Sequence, residues 1–293
     1  GEYCIIWLGP EFPGDQRRDD GGSLTFDSLP LAADEDIVGQ PMLNLTFSTD
    51  KPVTQVAVRL NDVWPDGASS RITYHLFNLT HLNGHENPQA LVPGREYTAR
   101  IKLDDIAWRV PKGHRLRVAI STSYWPMMWP SPEAAKLDVK LGRSFIDVPV
   151  RAQIKGEISP AFAAAEAATP VKQRVLEPAK NKRVVTTDQR SGITTLEIED
   201  DFGRTEIVEH GLVTWGVGRE RYSIHPDDPL SAKQETHWTE ELQRGRWKVR
   251  TETYGELTAT ETHFLVKGRL EAFEGNKPVF AKKWNKKIPR KLG

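Results

Sequence analysis

Between Ser23 and about Val150 one pattern recurs: a strand-length run in which apolar and polar residues alternate, closed by residues that reverse the backbone. In Gln55 to Val63, Val56, Val58 and Leu60 alternate with Gln55, Arg59 and Asn61, and Ile101 and Leu103 alternate with Arg100 and Lys102. A period of two sends successive side chains to opposite faces of a strand, so one face is expected in a core and the other in water. Comparable runs are Pro41 to Ser48, Ser70 to Phe77, Glu96 to Leu103, His114 to Ser121, Ala135 to Leu141 and Ser144 to Val150. Pro65-Asp66-Gly67, Asn83-Gly84, Pro93-Gly94 and Pro111-Lys112-Gly113 supply the fixed or positive φ that turns need. Short strands at this spacing, with no helical pattern between them, predict an all-β fold, a β-sandwich of jelly-roll type.

From 153 to 181 the alternation lapses into an alanine-rich stretch interrupted by Pro160, Pro170 and Pro178, which reads as a linker. Residues 1–152 then form the first domain and residues 182–293 a second, antiparallel β domain. Its expected strands lie in Thr194 to Glu199, Gly211 to Val217, Lys233 to Glu241, Arg246 to Tyr254, Glu256 to Leu270 and Lys277 to Lys286, with turns at Arg244-Gly245 and Glu274-Gly275-Asn276-Lys277. An open sheet and a half-barrel both fit this pattern.

Forty Lys and Arg balance forty Asp and Glu, so no long-range field favours nucleic acid or an anionic membrane. No apolar run nears the roughly 20 residues that span a bilayer. Cys4 is the single cysteine, which excludes an internal disulfide and thiolate metal sites and favours a reducing, cytoplasmic setting. The chain opens Gly1-Glu2-Tyr3 without an initiator methionine or a basic leader, as expected of a piece of something longer. No cofactor is implied.

The motifs of nucleophilic catalysis are missing. A serine on a strained strand-to-helix elbow needs glycine on both sides, G-x-S-x-G, and the nearest approach, Gly142-Arg143-Ser144-Phe145-Ile146, places a β-branched residue at the second glycine. Ser144 is therefore expected as a strand residue. Cys4, among Tyr3, Ile5, Ile6 and Trp7, has nothing to lower its pKa and reads as a structural thiol. His81 and His85, with Glu86 beside them, stand four apart, but Asn83-Gly84 turns the chain between them. The imidazoles are expected to point apart and no metal site is assigned. Asp34-Glu35-Asp36 and Asp227-Asp228-Pro229 read as acidic turns, and His114 as an internal hydrogen-bonding residue at its turn. The sequons at Asn44 and Asn78 fall inside strand runs.

After the run Leu116, Val118, Ile120, the sequence Ser121-Thr122-Ser123-Tyr124-Trp125-Pro126-Met127-Met128-Trp129-Pro130-Ser131-Pro132 cannot continue a sheet, because its prolines have no amide hydrogen to give. Trp125 and Trp129 are thus held on an irregular loop, where they either plug an end of the sandwich or line a cleft. The stretch Gly113 to Pro132 resembles the signature of the C-terminal domain of X-Pro dipeptidyl-peptidases and of CocE/NonD hydrolases. So do Trp7 to Asp20 (a lead-in from a catalytic domain), Gly22 to Ser28, Ile37 to Pro41, Arg59 to Val63 with Pro65-Asp66-Gly67, and Leu91 to Gly94. Tyr222 to Ala232 and Trp284 to Pro289 are similar to the extension of longer members.

The resemblance implies a galactose-binding-like jelly roll packed beside an N-terminal α/β-hydrolase domain, which carries the Ser-His-Asp triad and cleaves ester or amide acyl bonds. No triad residue transfers to this chain, so no catalytic residue is assigned. Trp7, Asp15, Gln16, Arg17, Trp125 and Trp129 become the residues expected at the substrate cleft or the domain interface, Asp15, Gln16 and Arg17 chiefly as a clamp between domains. The expected partners are the hydrolase domain and, through it, a small acyl ester or peptide, with a homo-oligomer open. Two other readings are a freestanding carbohydrate-binding module displaying its tryptophans and a structural dimerisation unit.

Overall fold

The computed structural model describes residues 14–152, 156, 158 and 160–293. The chain divides into two compact units, Gly1–Gly156 with Lys291–Gly293, and Glu157–Arg290. Among its described residues the first holds a one-turn helix α1 (Arg17–Asp20), a 3-10 turn (Leu79–His81) and ten strands. These are β1 (Leu24–Asp27), β2 (Glu35–Gly39), β3 (Met42–Thr49), β4 (Gln55–Val63), β5 (Ser69–Asn78), β6 (Tyr97–Lys102), β7 (Ile106–Val110), β8 (Arg115–Ser121), β9 (Leu137–Val139) and β10 (Phe145–Asp147). One sheet runs β1-β8-β4-β5; a second runs β10-β3-β6, with β9 also on β3; β2 and β7 form a separate pair. All pairings are antiparallel, and all but the β4/β5 hairpin join strands that are not consecutive in the chain, as a β-sandwich with crossing connections requires.

The alternation explains the core. Leu43, Leu45 and Phe47 of β3, Val56, Val58 and Leu60 of β4, Ile101 of β6 and Ile120 of β8 form one cluster, each at most 3 % exposed. Burying each such side chain contributes about 1.5–3 kcal/mol, before the entropy of ordering the chain. The expected strands appear with ends shifted by a few residues, and β4 matches its expected bounds. The pair β2/β7 was not anticipated: Asp36, expected in an acidic turn, is a strand residue that receives Arg109 Nε at 2.7 Å.

The second unit is one antiparallel sheet in the order β11-β13-β14-β15-β16-β17-β18, with β12 also on β13. Its strands are β11 (Gln173–Glu177), β12 (Lys180–Thr187), β13 (Thr194–Ile207), β14 (Leu212–His225), β15 (Asp228–Arg244), β16 (Trp247–Ala259), β17 (His263–Glu274) and β18 (Lys277–Pro289). Turns fall at Gly245 and Gly275, where positive φ suits glycine. Two expectations shift. The stretch read as a linker carries all of β11 and the start of β12, and the run Glu256 to Leu270 is broken by a reversal at 260–262. Every residue of β11 is exposed, so no apolar alternation marks it.

Candidate functional site

β4 is expected to be wet on one face. Instead Ala57, Arg59 and Asn61, which point away from the core, are each at most 1 % exposed. The lead-in segment covers Arg59 and Asn61, and Tyr124 and Met128 cover Ala57. Gln16 N donates to Ser69 O at 2.8 Å and Asp15 bridges Ser70, which lays the lead-in across the end of β5 and sets α1 over β4. Four residues cannot hold a helix by themselves, so α1 is held by what it touches.

Charge does the holding. Arg59, 1 % exposed, donates from Nη2 to Ser23 Oγ at 2.9 Å and from Nη1 to Gln16 Oε1 at 3.1 Å, and its guanidinium lies 3.0 Å from Asp20 Oδ1. Asp20 also accepts from Asn61 Nδ2 at 3.1 Å, from Ser69 Oγ at 2.8 Å and from Arg117 Nη1 at 3.1 Å. One buried carboxylate thus takes donors from α1's cover site on β4, from β5 and from β8. Such a cluster is tolerable in low dielectric only because its members satisfy one another. Arg117 is shared with Asp27 of β1, and the short bond between them holds Asp27 below the usual carboxylate range.

Tyr124, 3 % exposed, packs with Ala57 and Met128 on the same face. Its hydroxyl accepts from Arg71 Nη1 at 3.0 Å and donates to Gln16 Oε1 at 3.4 Å, and burial pushes the phenol up. From Tyr124 the chain runs into the tryptophan loop, where Trp125 and Trp129 are half-buried and meet edge to face, centroids 5.2 Å apart. The structure therefore brings Asp15, Gln16 and the base of the Trp125–Trp129 loop to one face of the sandwich. Asp15 and Gln16 are bonded to their own sandwich, while exposed Arg17 donates to Asp15 Oδ2 at 2.6 Å. Trp7 lies outside the described residues.

Arg59, Asp20, Asn61 and Asp62 lie in stretches that carry the family resemblance, but sequence reasoning assigned none of them to the site, because their burial depends on distant segments. His114 Nδ1 lies 2.7 Å from Asp62 Oδ1, Trp108 Nε1 donates to Asp62 Oδ2 at 3.3 Å, and the Trp64 ring stands 5.2 Å from the imidazole. A histidine–carboxylate pair catalyses acyl transfer only when a nucleophile bonds the far imidazole nitrogen. Among the described residues Asp62 is the one hydrogen-bond partner of the His114 side chain. Ser144 precedes β10 instead of lying in a strand. Its hydroxyl accepts from Thr46 N at 3.0 Å and reaches the carbonyls of Lys140 and Thr46, a stitch between β3 and a turn.

One expectation is overturned: His81 and His85 do not point apart. Their Nδ1 atoms are 2.8 Å from each other. Gly84 N donates to His81 O at 3.0 Å and Gly84 adopts φ +110°, so the turn folds His85 back over His81. No group of three His, Cys, Asp or Glu side chains stands within metal-ligand reach among the described residues.

The second unit carries a hollow of about 880 Å³, lined from Lys182 on β12 to Asn285 on β18. Residues from both edges share it, so the sheet is curled into a trough. Along its floor one cross-strand row reads Glu199, Arg219, His237, Tyr254, Arg269, Lys283. Tyr254 is stacked on His237 at 4.1 Å and carries the Arg269 guanidinium 3.8 Å above its ring, while Arg219 Nε donates to Glu199 Oε2 at 2.9 Å.

Comparison with known families matches residues 6–186 to the X-Pro dipeptidyl-peptidase C-terminal non-catalytic domain. The chain belongs to that family. The matched region takes in the whole sandwich and continues through β11 into β12. Among solved structures the X-Pro dipeptidyl-peptidase C-terminal domain described here is similar to an alpha-amino acid ester hydrolase, with 24 % identity and TM-score 0.45 over 47 % of this chain and 27 % of that one. It is similar to an aminopeptidase from a marine sediment Thaumarchaeota archaeon, with 22 % identity and TM-score 0.45 over 47 % of this chain and 28 % of that one. It is also similar to a CocE/NonD family hydrolase from Staphylococcus aureus, with 15 % identity and TM-score 0.40 over 47 % of this chain and 32 % of that one. The alignments thus span less than a third of each of those chains. No curated protein matches the sequence significantly. No helix among the described residues is long and apolar enough to cross a membrane.

Proposed function

We propose that this chain is the non-catalytic portion of a CocE/NonD-type serine hydrolase acting on ester or amide acyl bonds, and that its sandwich packs on an α/β-hydrolase domain and walls the substrate cleft. The observation that carries the reading is the buried clamp of Arg59 and Asp20. It fastens the lead-in, the segment that in this reading arrives from the hydrolase domain, onto the face that also presents the tryptophan loop. A rigid attachment there fixes the loop relative to whatever precedes Gly14. Trp125 and Trp129, half-buried against each other, then offer their remaining apolar surface to a neighbouring domain or to substrate.

The test is an assay of this chain and of its full-length parent with a p-nitrophenyl ester and an X-Pro p-nitroanilide. The chain alone is expected to turn over neither, and Trp125→Ala in the parent to raise KM more than it lowers kcat. Turnover by the chain itself, abolished by a serine-directed phosphonate, would overturn the proposal. Glycan binding by the chain, lost in Trp125→Ala with Trp129→Ala, would replace it with a carbohydrate-binding module.

A further inference from the structure

We infer that His81 and His85 form a two-histidine clip for a late first-row divalent cation such as Zn²⁺. His81 closes the 3-10 turn and His85 stands on the loop that follows it. The loop is built to hold them. Asn78 Oδ1 accepts from Thr80 N at 3.0 Å, Gln89 N donates to Thr80 O at 2.8 Å, and Asn83 Nδ2 donates to Gln89 Oε1 at 3.2 Å. Within this frame the Gly84 turn aims both Nδ1 atoms at one point between the rings.

Two neutral imidazoles at 2.8 Å must share one proton, one Nδ1 donating and the other accepting. A cation bound at about 2.0–2.1 Å from each nitrogen in tetrahedral geometry sets the nitrogens about 3.3 Å apart, so the clip opens by roughly half an ångström. The displaced Nδ1 proton moves through solvent to the Nε2 of the same ring, which leaves both ligands neutral and releases no net proton. Water fills the remaining positions, which makes this an open site and not a closed structural one.

The experiment titrates ZnCl₂ into the full chain at pH 7.5 by calorimetry and follows the histidine ring resonances by NMR. A single 1:1 site is expected, with His81 and His85 the rings that shift. His81→Ala and His85→Ala should each weaken it at least tenfold, whereas His210→Ala, at an exposed turn of the other unit, should leave it intact. Both clip residues lie at the surface, so circular dichroism of the variants should match the parent and loss of the site reports loss of ligands. Absence of a 1:1 site in the parent chain, or a titration unchanged in the His81→Ala, His85→Ala double variant, would overturn the inference.

Discussion

Asp20→Ala tests the clamp most directly. The carboxylate is 5 % exposed and accepts from Asn61, Ser69 and Arg117 while pairing with Arg59, which is itself 1 % exposed. Removing one member of a buried pair leaves the other charge desolvated and uncompensated, a loss of about 3–5 kcal/mol. Arg117, more exposed at 19 %, keeps Asp27, and Arg59 keeps Gln16 and Ser23, so the lower end of that range is expected. About 3 kcal/mol corresponds to roughly two orders of magnitude in opening equilibrium. Hydrogen exchange followed by mass spectrometry reads it region by region, with β4 and β8 losing protection while β15 and β16 of the other unit serve as the internal control. Asp20→Leu combined with Arg59→Met should recover most of the loss, because an apolar pair of similar volume has no charge to strand. An Asp20→Ala loss below about 1 kcal/mol, or a double variant as unstable as the single, would refute the argument from stranded charge.

Two further outcomes follow from particular residues. Arg117 holds Asp27 below the ordinary carboxylate range, so that bond's contribution is full above the ordinary aspartate value of about 4 and is lost as pH falls through the lower folded value; exchange at β1 should therefore rise selectively on acidification below about pH 4, and a flat profile there would contradict it. Gly203 sits at φ +73° in the β13 bulge, where a Cβ would stand 2.5 Å from Glu177 O and 2.7 Å from Ala179 N. Gly203→Ala should lift the connection between β11 and β12 off β13, at a cost of about 2 kcal/mol or more, visible as lost protection in residues 173–187 with β16 to β18 unchanged.

Strands with one buried face could be read directly, because burial imprints a period of two on the sequence. β4 is the clearest case: its ends and its inward residues follow from that period, yet the fate of its outer face does not. Arg59 and Asn61 look like solvent-facing residues until a segment some 40 residues upstream lies over them, and polarity alone does not say whether water or a carboxylate answers it. β11 and most of β12 are exposed along their length, so no alternation records them, and β2 and β7 are short strands without a clean alternation of burial. Hairpins marked by Gly245 and Gly275 were legible; the reversal at 260–262, built from Thr260, Glu261 and Thr262, offers no glycine, proline or asparagine to announce it. The His81–His85 pair fails for a related reason. A turn between two residues can separate them or fold one onto the other, and the φ of Gly84 decides which.

A buried ionic clamp is a poor way to add stability, since apolar side chains of the same volume would do at least as well. What it adds is position. Asp20 receives donors from three strands, each with its own distance and direction, and only one placement of α1 on the sheet satisfies Asn61, Ser69, Arg117 and Arg59 together. An apolar seal would tolerate slippage by a fraction of a turn, because dispersion and hydrophobic contact are non-directional. Gln16 extends the same constraint to the tryptophan loop, because its Oε1 takes both the Arg59 guanidinium and the Tyr124 hydroxyl. Lead-in, sheet and loop are thereby locked to one another by bonds that fail together. Under the function proposed above, that is the property that matters, because directional polar contacts hold the tryptophan loop's placement on the lead-in more narrowly than an apolar seal would.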